Sequence, residues 1–227
     1  MQHFCQILQA ITPEIKLIFL CSPGNPTAKA IPLDDIKQIA GSAEAKDAII
    51  VVDEAYVDFS SKGSAVSILS EYPNVVVLQT LSKAFGLAAI RCGFCLGPPD
   101  IIQLMNNVKA PYNVNVLTSK LALSAFDNIN VLEGHIKTAL EQRALVGAEL
   151  NKLDFVVEVF PSDSNFLLVR LTDKALQVYK TMADGGVVVR FRGNENHCSE
   201  CLRITIGTPE ENKTMLDRIQ KVYASLG

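Results

Sequence analysis

The stretch of sequence that decides the fold is Ile49-Ile50-Val51-Val52-Asp53-Glu54-Ala55-Tyr56. Its four consecutive apolar residues predict a strand buried on both faces, which is typical of parallel sheets. Asp53 ends this strand and Tyr56 follows three residues later. Because ligands of such sheets bind beyond the carboxyl ends of the strands, both side chains are candidates for a binding site.

A second apolar run, Val75-Val76-Val77-Leu78, leads into Thr80-Leu81-Ser82-Lys83-Ala84-Phe85-Gly86-Leu87, with Arg91 beyond it. A lysine at the end of a buried strand costs solvation free energy. A desolvated amine loses its proton more easily and becomes a nucleophile toward an aldehyde, with which it forms a Schiff base. The hydroxyls of Thr80 and Ser82, with Arg91, can hold a phosphate. The segment indicates a site for pyridoxal phosphate (PLP), and the alternative is a solvated surface lysine.

A third apolar run, Leu17-Ile18-Phe19-Leu20-Cys21, is followed by Ser22-Pro23-Gly24-Asn25-Pro26-Thr27. Its prolines and glycine predict a rigid turn at the strand end. Asn25 either bonds its own backbone there or directs its amide into a cleft. For Asp53, three roles stay open: a helix cap, a metal ligand, or the partner of a protonated pyridine nitrogen. The phenol of Tyr56 suits the ring oxygen of the same cofactor.

These strand-end motifs, in the order Asn, Asp-x-x-Tyr and Ser-Lys, resemble those of the fold-type I PLP-dependent aminotransferases. The sequence is more similar still to the histidinol-phosphate aminotransferases within that class. The resemblance extends from about Ile15 to the end of the chain. It rests on three segments: Asp53-Glu54-Ala55-Tyr56-Val57-Asp58-Phe59, residues 80–87 with Arg91-Cys92-Gly93-Phe94, and Cys201-Leu202-Arg203-Ile204-Thr205-Ile206-Gly207-Thr208.

The resemblance implies PLP-dependent transfer of the amino group of L-histidinol phosphate to 2-oxoglutarate, which gives imidazole-acetol phosphate and glutamate in histidine biosynthesis. It makes Lys83 the catalytic residue, as Schiff-base amine and general base. It also implies a homodimer. The expected cofactor-binding residues are Asn25, Asp53, Tyr56, Thr80, Ser82, Lys83 and Arg91.

Strands alternate with helices over residues 1–127, which predicts an α/β large domain with a mostly parallel sheet and helices on both faces. We predict strands at about 16–21, 48–53, 75–79 and 92–96, and helices at about 32–45, 63–71, 99–108 and 114–126. Residues 128–227 predict a small α+β domain that begins with a long helix at 131–153. Its other elements are strands at about 155–160, 165–169, 187–190 and 201–206, and helices at about 173–184 and 209–225.

Two arginines of the second domain are candidate substrate-binding residues. Arg203 alternates with apolar neighbours, so its side chain leaves the apolar face, and Arg190 follows Val187-Val188-Val189. A planar guanidinium suits carboxylate and phosphate groups. Taken singly, each arginine also fits an exposed strand position. The resemblance supports anion binding by both, with Asn165 orienting one of them.

Composition excludes several classes of function. The chain has 227 residues, 48% hydrophobic content and a net charge of −3, without a basic run, which argues against nucleic-acid binding. No apolar run is long enough to cross a bilayer, and no secretory signal begins at Met1, so we expect a cytoplasmic protein. The six cysteines form two C-x-x-C pairs, which we interpret as free thiols rather than a metal site.

The chain begins late relative to the family. We expect the missing N-terminal part to carry the glycine-rich turn and helix N-terminus that face the cofactor phosphate, an aromatic residue over the ring, and the arm that contacts the partner subunit. Two alternatives therefore remain open. One is another fold-type I aminotransferase or a phospho-amino-acid lyase, and the other is a non-catalytic fragment that pairs with a full-length subunit.

Overall fold

The computed structural model describes residues 2–227, with side chains described from residue 5 onward. The predicted first domain begins at Met1, which lies outside the described residues. Two compact units are present. The first contains the chain up to Gly24 together with Ala30–Leu132, and the second contains Asn25–Lys29 together with Glu133–Gly227. The division into domains after residue 127 stays a prediction.

The first unit is built on one four-stranded sheet whose strands follow chain order. The first three strands are parallel and the last is antiparallel to its neighbour. The predicted α/β class with a mostly parallel sheet is confirmed, although the apolar runs did not indicate the reversed direction of the last strand. The strands are β1 (Leu17–Cys21), β2 (Ile49–Asp53), β3 (Val75–Thr80) and β4 (Gly93–Leu96).

The described helices of this unit are α1 (Gln2–Ala10), α2 (Leu33–Glu44), α3 (Pro99–Val108) and α4 (Val116–Asp127). The predicted helix at 63–71 is wrong, because only a 3-10 turn forms there, over Ala65–Ile68. The amide of Ala65 donates to the carboxylate of Glu54, and Ser64 Oγ accepts the amide of Val66. The amides of Leu69 and Glu71 then donate to Val66 O and Ile68 O, three residues earlier in each case, so the segment forms short 3-10 turns instead of an α-helix. The sequence did not predict α1.

Helix α2 covers one face of this sheet. Its buried residues Ile36, Ile39, Ala40 and Ala43 recur at helical spacing and pack with alternate residues of the parallel strands. Ile50 and Val52 of β2 are fully buried there, while Val51, on the opposite face, is only 8% exposed. Burial on both faces holds β2 firmly in the sheet, and this holds Asp53 in place at the end of the strand.

The second unit has an antiparallel sheet in the order β5-β6-β8-β7. Its strands are β5 (Val156–Val159), β6 (Phe166–Leu171), β7 (Arg190–Phe191) and β8 (Cys201–Thr205). The helices are α5 (Ile129–Leu150), α6 (Ala175–Asp184) and α7 (Pro209–Ser225).

The predicted strand at 187–190 begins later than expected, because the backbone before it closes α6. The amide of Val187 donates to Met182 O and that of Gly186 to Ala183 O, both at 2.9 Å. This is a Schellman motif, and Gly186 supplies the left-handed conformation it needs at φ +83°. Helix α7 begins with a capping box in which the side chains of Thr208 and Glu211 each accept the other residue's amide. None of the helices described over residues 2–227 is long and apolar enough to span a membrane.

Candidate active site

The lysine predicted as catalytic lies in a compact turn directly after β3. Leu81, only 1% exposed, anchors this turn in the protein interior, and its amide donates to Cys92 O. The amides of Gly86 and Leu87 close the turn on Lys83 O and Leu81 O, each at 3.0 Å. The backbone on both sides of Lys83 is therefore fixed by hydrogen bonds, which holds the lysine at the carboxyl end of the sheet.

The ammonium of Lys83 lies 5.2 Å from the centroid of the Tyr56 ring. A cation at this distance from an aromatic face is attracted by the ring quadrupole. Tyr56 is buried, whereas Lys83 is exposed, so the predicted desolvation of the lysine is wrong for the chain as described. The reason is that the strand before the lysine is buried but the turn carrying it is not. The structure thus brings Lys83 and Tyr56 close together, which the sequence pattern did not predict.

Asp53 ends β2 at the same edge of the sheet. Its Oδ1 accepts the amide of Ala55 at 3.0 Å, so the carboxylate fixes a local turn rather than capping a helix. Cys21 lies opposite Asp53 in the register of β1 and β2. Burial, and then the negative charge of Asp53, raise the pKa of the Cys21 thiol.

The predicted phosphate-binding residues form two groups. Thr80 Oγ1 lies 3.0 Å from Ser82 Oγ and accepts the Ser82 amide at 3.1 Å, so the two hydroxyls stand together at the end of β3. Arg91 is exposed and adopts a left-handed conformation at φ 52°, with its guanidinium donating to Ala88 O at 3.1 Å. A non-glycine residue in this region is uncommon and marks a position held by its surroundings.

The second unit brings together three further predicted residues, Asn25, Arg190 and Arg203. Arg190 and Arg203 are directly opposite each other on β7 and β8, so their side chains leave the same face of the sheet. Arg203 Nη1 donates to Asn25 Oδ1 at 2.8 Å, and its guanidinium lies 5.1 Å from the ring centroid of Phe166. Two opposed arginines repel each other, and an anion between them removes this repulsion.

Asn165 is the remaining predicted residue of this unit. Its backbone carbonyl accepts the amide of Ile206 at 2.9 Å, beyond the end of β8. This contact places Asn165 beside the strand that carries Arg203. An orienting role for its side chain stays a prediction.

Sequence reasoning missed a buried polar network beside Asp53. Glu54 is only 3% exposed and accepts hydrogen bonds from Ser64 Oγ, the Ala65 amide and Gln79 Nε2. The available signal was a charged residue directly after a strand buried on both faces. Its partners lie up to 25 residues away, so sequence spacing did not indicate them.

The cysteines do not form a metal centre in the described part of the chain, where no group of potential ligands is arranged to hold an ion. All six are free. Cys198 and Cys201 are buried, and burial is the main cause that raises the pKa of Cys201 to about 11. A thiol with so high a pKa is a poor ligand and a poor nucleophile at neutral pH.

The sequence and fold define the class of protein. The family model described as aminotransferase class I and II matches residues 1–219, and the chain belongs to this family.

Its relatives within the family include the histidinol-phosphate aminotransferase of Cytophaga hutchinsonii, which is 42% identical over 217 residues. The alignment covers 96% of this chain and 61% of that protein. The histidinol-phosphate aminotransferase of Bacteroides thetaiotaomicron is 41% identical, with 95% of this chain and 61% of that protein covered. The chain thus spans about 61% of the length of these curated relatives.

Solved structures show the same fold. The histidinol-phosphate aminotransferase of Clostridium acetobutylicum superposes with a TM-score of 0.91 at 22% identity, over 98% of this chain and 68% of that one. The enzyme of Sinorhizobium meliloti, solved in complex with pyridoxal-5'-phosphate, has a TM-score of 0.86 at 23% identity, over 99% of this chain and 61% of that one. The predicted fold class is confirmed.

Proposed function

We propose that this chain belongs to a PLP-dependent aminotransferase that transfers the amino group of L-histidinol phosphate to 2-oxoglutarate, giving imidazole-acetol phosphate and L-glutamate. One observation carries the proposal. The amine of Lys83 lies over the Tyr56 ring at the edge of the sheet where Asp53 ends β2. The relatives at about 40% identity, which are named for this reaction, support the choice of substrate.

The chemistry of the donor set fits PLP. A primary amine, a carboxylate, a phenol and two hydroxyls stand at the ends of adjacent strands, and these groups suit the aldehyde, ring nitrogen, ring oxygen and phosphate of the cofactor. When bound, the pyridoxal ring supplies an electron sink for a carbanion at the substrate Cα. Asp53 holds a proton on the ring nitrogen, and Tyr56 donates to the ring oxygen. Lys83 would hold the cofactor aldehyde, and its amine, released when the substrate amine takes its place there, would remove the Cα proton and return it.

Thr80, Ser82 and Arg91 bind the cofactor phosphate in this proposal. The short distance between the two hydroxyls supports their part, because phosphate oxygens accept hydrogen bonds from several donors at once. We assign the amide nitrogen of Asn25 to the ring oxygen, beside the phenol of Tyr56. The amide oxygen of Asn25 accepts from Arg203, which fixes the orientation of the amide.

The opposed arginines bind the anionic groups of the substrates. Arg190 and Arg203 present two guanidinium groups on one face of the second unit. We assign them to the phosphate of histidinol phosphate in one half-reaction and to a carboxylate of glutamate or 2-oxoglutarate in the other. The planar guanidinium, which binds both groups in a bidentate manner, supports this assignment.

The resemblance implies a homodimer and small-molecule substrates. We further propose a cytoplasmic location, no nucleic-acid or membrane partner, and a large PLP-binding domain at 1–127 followed by a small domain at 128–227.

The fold does not separate this activity from its alternatives. A structure of L-threonine-O-3-phosphate decarboxylase from Porphyromonas gingivalis has a TM-score of 0.77 at 23% identity. The experiment therefore has to distinguish a phospho-amino-acid lyase from a transaminase. Transfer from glutamate but not from histidinol phosphate would favour a related aminotransferase, and no reaction with any of the three compounds would favour a non-catalytic fragment paired with a full-length subunit.

The experiment is a single-turnover assay on the PLP-loaded protein. Histidinol phosphate, glutamate and O-phosphothreonine are added separately, and amino-group transfer is followed by the cofactor absorbance. We expect transfer with the first two, no release of carbon dioxide, and loss of transfer in Lys83→Ala but not in the exposed control Lys120→Ala. Full activity of Lys83→Ala would contradict the assignment, and decarboxylation of O-phosphothreonine would favour the lyase.

A further inference from the structure

Glu54 is an acidic residue in a buried position, where a charge costs solvation free energy. Its side chain is 3% exposed, and a carboxylate is almost never buried to this extent without partners. It accepts the hydroxyl of Ser64 at 2.6 Å, the amide of Ala65 at 2.6 Å and Gln79 Nε2 at 2.9 Å. These three donors are all neutral, so Glu54 keeps its hydrogen bonds without a counterion among them. A charged acceptor makes stronger bonds than a neutral one.

Glu54 lies between the two residues of its turn that are assigned to the cofactor. Asp53 precedes it directly, and Tyr56 follows two residues later. The backbone of Glu54 is itself fixed on both sides, since its amide donates to Leu78 O at 2.8 Å and its carbonyl accepts the amide of Val57 at 3.1 Å. The side chain of Glu54 therefore adds a third attachment to the stretch of backbone that carries Asp53 and Tyr56.

Gln79 connects the same carboxylate to the other half of the site. It directly precedes Thr80, the last residue of β3, and the lysine turn begins one residue later. The hydrogen bond between Gln79 and Glu54 therefore joins the end of β3 to the turn after β2, across 25 residues of chain. Ser64, which also lies 3.5 Å from Gln79 Nε2, completes the network.

We propose that Glu54 is a positioning residue: its buried carboxylate fixes the turn carrying Asp53 and Tyr56 to the end of β3, so that these two side chains and the Thr80–Lys83 segment keep one geometry for the cofactor. This role rests on the proposed function, because it concerns how PLP is bound. Glu54 contacts neither cofactor nor substrate in this account and acts through its neighbours.

The test is a double-mutant cycle with PLP affinity as the readout. Glu54→Gln leaves one acceptor for three donors, and Gln79→Glu puts two carboxylates at hydrogen-bond distance. Each single variant should weaken PLP binding by roughly tenfold, the effect of losing one charge-assisted hydrogen bond. The double variant exchanges the two groups and restores the bond between β3 and the turn, so its affinity should lie closer to the wild-type value than the product of the single effects predicts.

Asn74 provides the matched control for general loss of stability. It is buried at the opposite end of β3 and donates to Ala40 O and Ala48 O. Asn74→Ser should lower the thermal midpoint while leaving PLP affinity within twofold of wild type. Wild-type affinity in Glu54→Gln, or strictly multiplicative effects in the cycle, would overturn the proposal.

Hydrogen exchange on the PLP-free chain separates this inference from the proposed function. Glu54→Gln should increase exchange at the amides of Ala55, Val57 and Ala65, and Asn74→Ser should not. If wild-type protein fails to bind PLP, the proposed function fails, while this exchange pattern still supports the positioning network. Unchanged exchange in Glu54→Gln would refute the network whatever the outcome with PLP.

Discussion

Arg190→Gln should change stability in opposite directions without and with a bound anion. Arg190 and Arg203 are directly opposite each other on β7 and β8, and like charges in this arrangement destabilise a sheet. If the two charges lie about 6 Å apart, slightly more than the ~5 Å between opposed Cβ atoms, they repel in a water-like dielectric by about 0.7 kcal/mol. Because Arg190 is exposed, this value is an upper limit that salt reduces. Removing one charge should therefore stabilise the ligand-free chain by up to about 0.7 kcal/mol.

Bound phosphate should reverse the relative stability of Arg190→Gln and the wild-type chain. An anion that binds only the folded state stabilises it by about 1.4 kcal/mol at a concentration ten times its Kd. The wild-type chain should show this gain and Arg190→Gln should lose most of it, since one of the two guanidinium groups is gone. The variant is then the more stable protein without phosphate and the less stable one with it.

Urea unfolding followed by circular dichroism measures both effects, with phosphate replaced by chloride at constant ionic strength. Lys221→Gln is the control, because it removes one exposed positive charge from α7 of the same unit. It should leave the phosphate effect intact. Two results would contradict an anion site between the arginines: an Arg190→Gln chain that is less stable than wild type without phosphate, or an equal gain in stability from phosphate in the variant and the wild type.

Three further predictions concern the stability of the fold. Gly93→Ala should cost about 1–3 kcal/mol of unfolding free energy, because its Cβ would lie 2.8 Å from a backbone oxygen of β3. Gly134→Ala in α5, where the added Cβ meets nothing within 4 Å, should instead gain about 0.5–1 kcal/mol. A urea midpoint equal to that of wild type would contradict either prediction. Burial, and then the charge of Glu54, raise the pKa of Asp58 above its ordinary value of 3.8, so the folded state binds the proton more tightly and stability falls as pH rises through this range. Asp58→Asn should therefore become more stable than wild type as pH rises from about 4 to 7, and a difference independent of pH would argue against this cause. Thr208→Ala removes half of the capping box of α7 and should lower the unfolding free energy by about 1 kcal/mol. An unchanged midpoint of thermal unfolding would contradict this prediction.

The strands, and the edge of the sheet that carries the site, could be predicted because short apolar runs that end in polar residues, here Asp53 and Thr80, are typical of buried strands. Local hydrogen bonding decided what the pattern left open. The pattern of residues 63–71 suggested a helix, but the amides of Leu69 and Glu71 bond to carbonyls three residues earlier, which gives short 3-10 turns. In the same way, the valines before Arg190 suggested a longer strand, while the amide of Val187 closes α6.

The geometry of the site depended on pairing that spacing does not encode. Alternation along β8 indicated which way Arg203 points, but only the register with β7 places Arg190 opposite it. The network of Glu54 was missed for a similar reason, since Gln79 comes from the neighbouring strand. Exposure of Lys83 differed from expectation because burial of a strand does not extend to the turn that follows it.

The most direct test of the account is borohydride reduction of the purified chain with PLP, followed by peptide mass mapping. Lys83 is the only lysine that the account places at the cofactor aldehyde, and Lys120 serves as an exposed comparison on α4. We expect a phosphopyridoxyl adduct on Lys83 at stoichiometric PLP, absent from Lys83→Ala. A folded protein with no adduct on Lys83, or with adducts spread equally over its exposed lysines, would contradict the central claim.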